Sequence, residues 1–139
     1  MVLEGANESV TIAGSKPQPG YNNYFIGNDQ SKWAGGCRIF NTVTYSNIYP
    51  NIDIRYFTDE GWVKYEFIIH PGGNPSDIIM RYDGAEKLTL NKGELVVKTS
   101  VGEIREMPPF TYQQSAKGRV TINSKYQVRG NKLRFVVGD

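Results

Sequence analysis

The sequence predicts an all-β protein, either an antiparallel β-sandwich or a twisted double sheet built from hairpins, with one long ordered loop. Three observations lead to this fold class. Apolar and polar residues alternate with period two in several stretches, turn residues separate these stretches at short intervals, and the chain is rich in glycine and aromatic residues. Many short strands at regular spacing are typical of sandwiches and related double-sheet folds.

The clearest hairpin lies in IDIRYFTDEGWVKYEFII, residues 52–69. Apolar and polar side chains alternate on both sides of Asp59-Glu60-Gly61, which is a turn signal. One face of the hairpin is therefore expected to pack on a core and the other to form a solvated face with cross-strand ion pairs. The polar residues of that second face are Asp53, Arg55, Lys64 and Glu66.

Further strands are expected on either side of this hairpin. They lie in residues 8–13, 38–46, 77–84, 87–99, 102–107 and in three segments of 110–139, and a short helical turn is expected at 75–78. Residues 14–36, GSKPQPGYNNYFIGNDQSKWAGG, break the alternation and are predicted to form the long ordered loop over one sheet edge. The last segment, KLRFVVGD, is predicted to be a paired strand, and an uncovered sheet edge beyond it is expected to promote self-association.

Length and composition limit the classes of function. A chain of 139 residues fits one all-β domain spanning 1–139, expected to be a fragment of a larger exported protein. Its 22% charged and 39% hydrophobic residues exclude a disordered chain, and its apolar runs are too short for membrane insertion. The net charge of +2 gives no indication of nucleic-acid binding, and the single cysteine, Cys37, excludes an intramolecular disulfide and a multi-cysteine zinc site.

No catalytic residue, metal ligand or cofactor is predicted. The single histidine, His70, precedes Pro71 and is interpreted as the end of a strand, since neither a nucleophile elbow nor a cysteine with an orienting partner accompanies it. Two acids on neighbouring strands would suit a glycoside hydrolase, which remains a third class of function. The acids in question are Asp53, Glu66, Glu94, Glu103 and Glu106.

Aromatic residues are the best candidates for ligand binding. Trp33 and Tyr24 lie in the long loop, and Trp62 lies beside the turn of the 52–69 hairpin. Trp33 is expected to anchor the loop to the core, whereas Trp62 suits either burial or a sugar-binding platform. Asn28 and Asp29 complete the candidate set, although their spacing does not match a calcium loop.

Four segments of the chain are similar to a known kind of domain. They are FIGNDQSKW (25–33), YPNIDIRY (49–56), YEFIIHPGGNP (65–75) and GEIRE (102–106). In this order they resemble the N-terminal domain of large secreted bacterial proteins of Bacteroidetes-like bacteria, which carry SBBP-type β-propeller repeats, PKD-like domains or gliding-motility-type sorting tails.

The resemblance implies an extracellular or cell-surface location and a non-enzymatic structural or interaction role. The expected partners are other domains of the same protein, with a cell-surface protein or glycan as further candidates. A carbohydrate-binding module that uses the exposed aromatics is the alternative.

Overall fold

The computed structural model describes residues 1–138 and divides the chain into two compact units. One unit contains Asn7–Gly72, and the other contains Met1–Ala6 together with the chain from Gly73 onward. The strands are β1 (Val2–Leu3), β2 (Thr11–Tyr24), β3 (Ala34–Tyr49), β4 (Ile52–Asp59), β5 (Trp62–Ile69), β6 (Ile79–Arg81), β7 (Lys87–Asn91), β8 (Glu94–Thr99), β9 (Gly102–Glu106), β10 (Thr111–Ser115), β11 (Gly118–Ile122), β12 (Ser124–Arg129) and β13 (Lys132–Val137). Short 3₁₀ turns cover Gln30–Lys32 and Pro75–Asp77, so the predicted all-β class and the helical turn near residue 75 are confirmed.

The Asn7–Gly72 unit is one antiparallel sheet with the strand order β2-β3-β4-β5. Its β4–β5 hairpin is the one predicted from residues 52–69, with Arg55 opposite Glu66. Glu60 and Gly61 form the connection with φ angles of +50° and +82°, as a type I′ turn requires. Ile52 and Ile54 are fully buried, so the predicted core face of β4 is confirmed.

The predicted long loop is wrong in extent, because most of residues 14–36 belong to strands. β2 reaches Tyr24 and β3 begins at Ala34, so only residues 25–33 connect them. All 14 residues of β2 are exposed, and the strand is formed by its backbone pairing with β3. Side-chain alternation could not reveal such a strand, since neither of its faces is buried. Pro17 and Pro19 are tolerated because β2 lies at the sheet edge.

The other unit contains three antiparallel sheets within the described residues. Their strand orders are β1-β6-β13-β12, β7-β8-β9 and β10-β11. Leu133 of β13 lies opposite Met80 of β6, and both side chains are fully buried. The last strand therefore has its predicted core face.

The expected sheet edge at the last strand is wrong for Lys132–Arg134, the first half of β13. These three residues pair with β6, and the whole of β13 pairs with β12 on its other side. The expectation failed because β6 lies about fifty residues earlier in the chain, and no local pattern indicates that it pairs with β13. The edge strands of this sheet are β1 and β12.

We expect Gly14→Ala to destabilise the Asn7–Gly72 unit. A Cβ at Gly14 would lie 2.5 Å from Cγ of the Phe40 ring, so the ring would have to move. The free energy of unfolding should fall by about 1–2 kcal/mol. Overpacking lowers it, and alanine offsets part of this cost because it makes the unfolded chain less flexible than glycine does. Urea unfolding measures this change.

Gly35→Ala is the matched control for this substitution. A Cβ there would meet its nearest atom, Oδ1 of Asn23, at 3.4 Å, which is an ordinary contact. Its free energy of unfolding should stay within about 0.5 kcal/mol of the parent value. Equal effects of the two substitutions would contradict the packing described for Gly14.

Candidate functional site

The end of the β2–β3 hairpin carries a group of exposed apolar side chains. We call residues 21–36 the arm tip. Its exposed large apolar residues are Tyr21, Tyr24, Phe25, Ile26 and Trp33. Monomeric proteins expose single apolar side chains routinely, but a contiguous group of large ones is typical of an interaction site.

The arm tip is held together by its own contacts. The rings of Phe25 and Trp33 lie 5.4 Å apart between centroids, at an angle of 49°. Nε1 of Trp33 donates a hydrogen bond to the carbonyl oxygen of Gly27 at 3.1 Å. The backbone N–H of Gly36 donates to Oδ1 of Asn23 at 2.8 Å. These contacts hold the connection between β2 and β3 in place, although the adjoining ends of both strands are exposed.

Asp29 organises the 3₁₀ turn of the arm tip. Its Oδ1 accepts hydrogen bonds from the backbone N–H of Ser31 at 3.1 Å and from the Ser31 hydroxyl at 2.6 Å. Nζ of Lys32 lies 3.3 Å from Oδ2 of Asp29. The Ser31 hydroxyl, the Ser31 amide and then Lys32 together lower the pKa of Asp29. Asp29 is therefore a capping residue whose carboxylate is already hydrogen-bonded.

The structure brings four of the five sequence-predicted site residues together. Tyr24, Asn28, Asp29 and Trp33 all lie in the arm tip. Trp62 lies in the other hairpin of the same unit, beside its turn, and is 74% exposed. The expectation that Trp33 anchors a loop to the core is wrong, since Trp33 is 39% exposed and contacts the arm tip itself.

His70 closes the other end of the β4–β5 hairpin. It follows the last residue of β5, and its backbone N–H donates to the carbonyl oxygen of Asn51 at 2.9 Å. Nε2 of His70 lies 2.9 Å from Oδ2 of Asp53. Oδ1 of Asp53 accepts from the backbone N–H of Asn47 at 2.8 Å. His70 thus occupies the predicted strand end and is joined, through Asp53, to Asn47 near the end of β3.

The pKa of Asp53 reflects these neighbours. Burial raises it, because the side chain is only 16% exposed. The hydrogen bonds from His70 and from the Asn47 amide, with the charge of His70, outweigh burial and hold the pKa below its usual value. Asp53 was expected on a solvated face of the hairpin, and its pairing with His70, which is 17 residues away, was not predicted. Asp53 and His70 lie at the same end of the regular β4–β5 hairpin, and this is the sequence signal that could have indicated their pairing.

The other carboxylates considered for hydrolysis also have donors beside them. Glu66 forms an ion pair with Arg55 across the β4–β5 hairpin. Glu94 and Glu103 flank Arg105, with N–O distances of 3.8 and 3.1 Å. The Tyr82 hydroxyl donates to Glu106 at 2.7 Å. Across residues 1–138, no three His, Cys, Asp or Glu side chains are grouped to hold a metal ion.

The fold and the exposed side chains define an all-β protein of antiparallel hairpins that presents an aromatic arm. No helix in residues 1–138 is long and apolar enough to span a membrane. Residues 1–139 match the family described as Domain of unknown function (DUF7948), and the chain belongs to that family. No curated protein and no solved structure matches the chain.

We expect His70→Ala to lower the free energy of unfolding by no more than about 1 kcal/mol near neutral pH, because His70 is half exposed. The substitution should have a clearer effect on how the free energy of unfolding falls at acidic pH. Asp53 has a lowered pKa when folded, so its stabilisation is complete above its unfolded pKa of about 4 and is lost as the pH falls through the folded value. Without His70 this loss should begin at higher pH.

Urea unfolding measured over about pH 2 to 7 checks this expectation. Asp53→Asn is the control, since it removes the titrating group while keeping an oxygen acceptor for Asn47. Parallel stability curves for the parent chain and His70→Ala would contradict the proposed contribution of the pair.

For the two tryptophans we expect unequal effects on stability. Trp33→Ala should lower the free energy of unfolding by about 1–2 kcal/mol, through loss of the Phe25 ring contact and the Gly27 hydrogen bond. Trp62→Ala should change it by less than about 0.5 kcal/mol, because that side chain is largely in solvent. Thermal unfolding compares them, and a loss of about 3–5 kcal/mol for Trp33→Ala would indicate core anchoring instead.

Proposed function

We propose that the chain is a non-enzymatic interaction module of an exported bacterial multidomain protein, and that the arm tip contacts its protein partner. The observation that carries this proposal is the group of five exposed large apolar side chains at the end of a strand pair with little buried surface. Exposed aromatic residues in such a group are typical centres of binding energy in protein interfaces.

The internal contacts of the arm tip support a binding role. The Phe25–Trp33 ring pair and the capped turn at Asp29 hold the apolar side chains in place before any partner arrives. Such preorganisation lowers the entropy cost of association. Asp29 and Lys32 pair with each other, so the tip adds little net charge to its apolar surface. An apolar surface on a protein partner suits this tip better than a highly charged ligand.

Export and a cell-surface location are part of the same proposal. The four segments that resemble the N-terminal domain of secreted Bacteroidetes-like proteins support it, and the first of them, FIGNDQSKW, lies within the arm tip. The chain would then act beside other domains of the same protein, and the arm tip would contact one of them or another cell-surface protein.

Site-specific photo-crosslinking tests the proposal. A photo-reactive phenylalanine analogue at Phe25, in the full parent protein on its producing cells, should yield a discrete crosslinked protein species. The same analogue at Gln18 is the matched control, because Gln18 is exposed on β2 outside the tip. Absence of a Phe25-specific species, or equal crosslinking from Gln18, would contradict a partner at the tip.

A carbohydrate-binding module is the second candidate, and the exposure of Trp62 favours it. An indole ring in solvent beside a hairpin turn can stack on a sugar ring. A glycan array separates the two candidates. Binding of a neutral saccharide that Trp62→Ala removes would support the carbohydrate-binding module.

A further inference from the structure

Positive charge is concentrated in the last quarter of the chain. Six of the 16 basic residues lie in residues 107–139, against one of the 14 acidic residues, Asp139. The small net charge of the whole chain hides this asymmetry. The six residues are Lys117, Arg119, Lys125, Arg129, Lys132 and Arg134.

The register of β12 and β13 places four of these cations on one face. Gln127 lies opposite Arg134, and Arg129 lies opposite Lys132. Directly opposed residues, and residues two apart along a strand, share one face of a sheet. We call this surface the cationic face; its polar residues are Lys125, Gln127, Arg129, Lys132 and Arg134. The opposite face carries the buried Tyr126 and Leu133.

Two of these cations have partners that fix their positions. Nζ of Lys132 lies 2.7 Å from Oε2 of Glu4. A guanidinium nitrogen of Arg134 donates to the carbonyl oxygen of Ser76 at 3.2 Å, which leaves its other N–H groups for a ligand.

Lys125 and Arg129 are exposed, and neither forms an ion pair with any acid in residues 1–138. Within residues 1–138, the face therefore holds two cations on β12 that have no acidic partner, beside an oriented arginine.

A shallow groove runs beside Arg134. Its volume is about 410 Å³, and it is bordered by the start of the 3₁₀ turn and by β12 and β13. Besides Arg134, its lining residues are Asn74, Pro75, Ser76, Gln127, Phe135, Val136 and Val137. Amide side chains and backbone groups in such a groove suit the hydroxyls of a saccharide, while Arg134 supplies a charge-assisted donor for an acidic group. The cationic side chain of Arg134 thus lies beside groups that can bind hydroxyls.

We propose that the cationic face binds an acidic polysaccharide, carboxylated or sulfated, that runs along β12. Lys125 and Arg129 are four residues apart in one strand, so their Cα atoms are separated by about 13–14 Å. A linear chain that repeats its acidic groups can reach both cations, with Gln127 between them. This ligand differs from the protein partner of the arm tip, and the site lies in the other unit.

Other polyanions suit this face less well. Single-stranded nucleic acids gain much of their affinity from base stacking on aromatic side chains. The aromatic residues of β12 and β13 are Tyr126 and Phe135, which are opposed to each other and share the face that carries Leu133. An anionic membrane is favoured by apolar residues among the cations. On β12 and β13, the strands that carry these cations, the apolar side chain of the cationic face is Val136, which is partly exposed. Ile79 and Val2 share that side of the sheet but lie beyond β13, on β6 and β1.

Binding measurements with defined polymers test the proposal. Heparin serves as the sulfated probe, polygalacturonate as the carboxylated probe and dextran as the neutral one. We expect binding of at least one acidic polymer, no binding of dextran, and affinity that falls steeply between about 50 and 200 mM salt. Lys125→Glu combined with Arg129→Glu should weaken binding by about tenfold or more, since each reversal replaces attraction with repulsion.

Arg38→Glu combined with Lys92→Glu is the charge-matched control, because both residues are exposed and lie on other strands or turns. It should change the affinity by less than about twofold, since its reversals lie outside the site. Lys125→Gln with Arg129→Gln, checked for an unchanged melting temperature, separates lost charge from misfolding and should also weaken binding. Phe25→Ser should leave the affinity unchanged.

Several results would overturn the proposal. One is an absence of binding to both acidic polysaccharides at low salt. Another is an equal loss of affinity in the Arg38→Glu, Lys92→Glu control. The third is unchanged affinity in the variants with Lys125 and Arg129 replaced. Tighter binding to a single-stranded oligonucleotide or to phosphatidylglycerol vesicles than to either polysaccharide would assign the face to a different ligand. Each of these outcomes leaves the arm-tip proposal intact.

Discussion

Antiparallel register is the physical constraint on which the described structure depends. Side chains alternate between the two faces of a strand, so a slip of one residue would exchange a core face for a solvent face. In the β4–β5 hairpin the register buries Ile54 and places Arg55 against Glu66. In the β12–β13 hairpin it buries Leu133 and places Gln127 against Arg134. Core and surface are thus set by the same pairing.

The two surfaces that we assign to binding arise from this constraint in different ways. The arm tip lies where β2 and β3 extend beyond the buried part of the sheet, so Phe25 and Trp33 pack on each other and on the tip rather than on a core. The cationic face is the solvent side of strands whose other side is core. Its charge comes from Lys125 and Arg129, four residues apart on β12, and from Lys132 and Arg134 of β13. The arm tip therefore presents preorganised apolar side chains, and the cationic face presents regularly spaced positive charges.

Much of the fold could be predicted from local patterns. The alternation around Glu60-Gly61 predicted a hairpin that the structure confirms, because strand period and turn chemistry are both local. The strand structure predicted in residues 87–99 is also confirmed, as the β7–β8 hairpin. The strand predicted at residues 8–13 covers only the start of β2. The rest of β2 was missed because neither of its faces is buried, so its side chains do not alternate. The central position of β13 was missed because its partner β6 is distant in sequence.

The candidate site was predicted only in part, for related reasons. The arm-tip residues are close in sequence, so Tyr24, Asn28, Asp29 and Trp33 were identified together. The pairing of Asp53 with His70, and the cationic face, depend on register between strands. The cationic face was missed because only the net charge of the whole chain was considered.

The register of β12, β13 and β6 is the most direct test of this account, and NMR can measure it. Cross-strand NOEs are predicted between Tyr126 and Phe135, between Val128 and Leu133, and between Leu133 and Met80. NOEs shifted by one residue, such as Gln127 with Phe135, would turn the basic residues of β13 toward the core side and contradict the account.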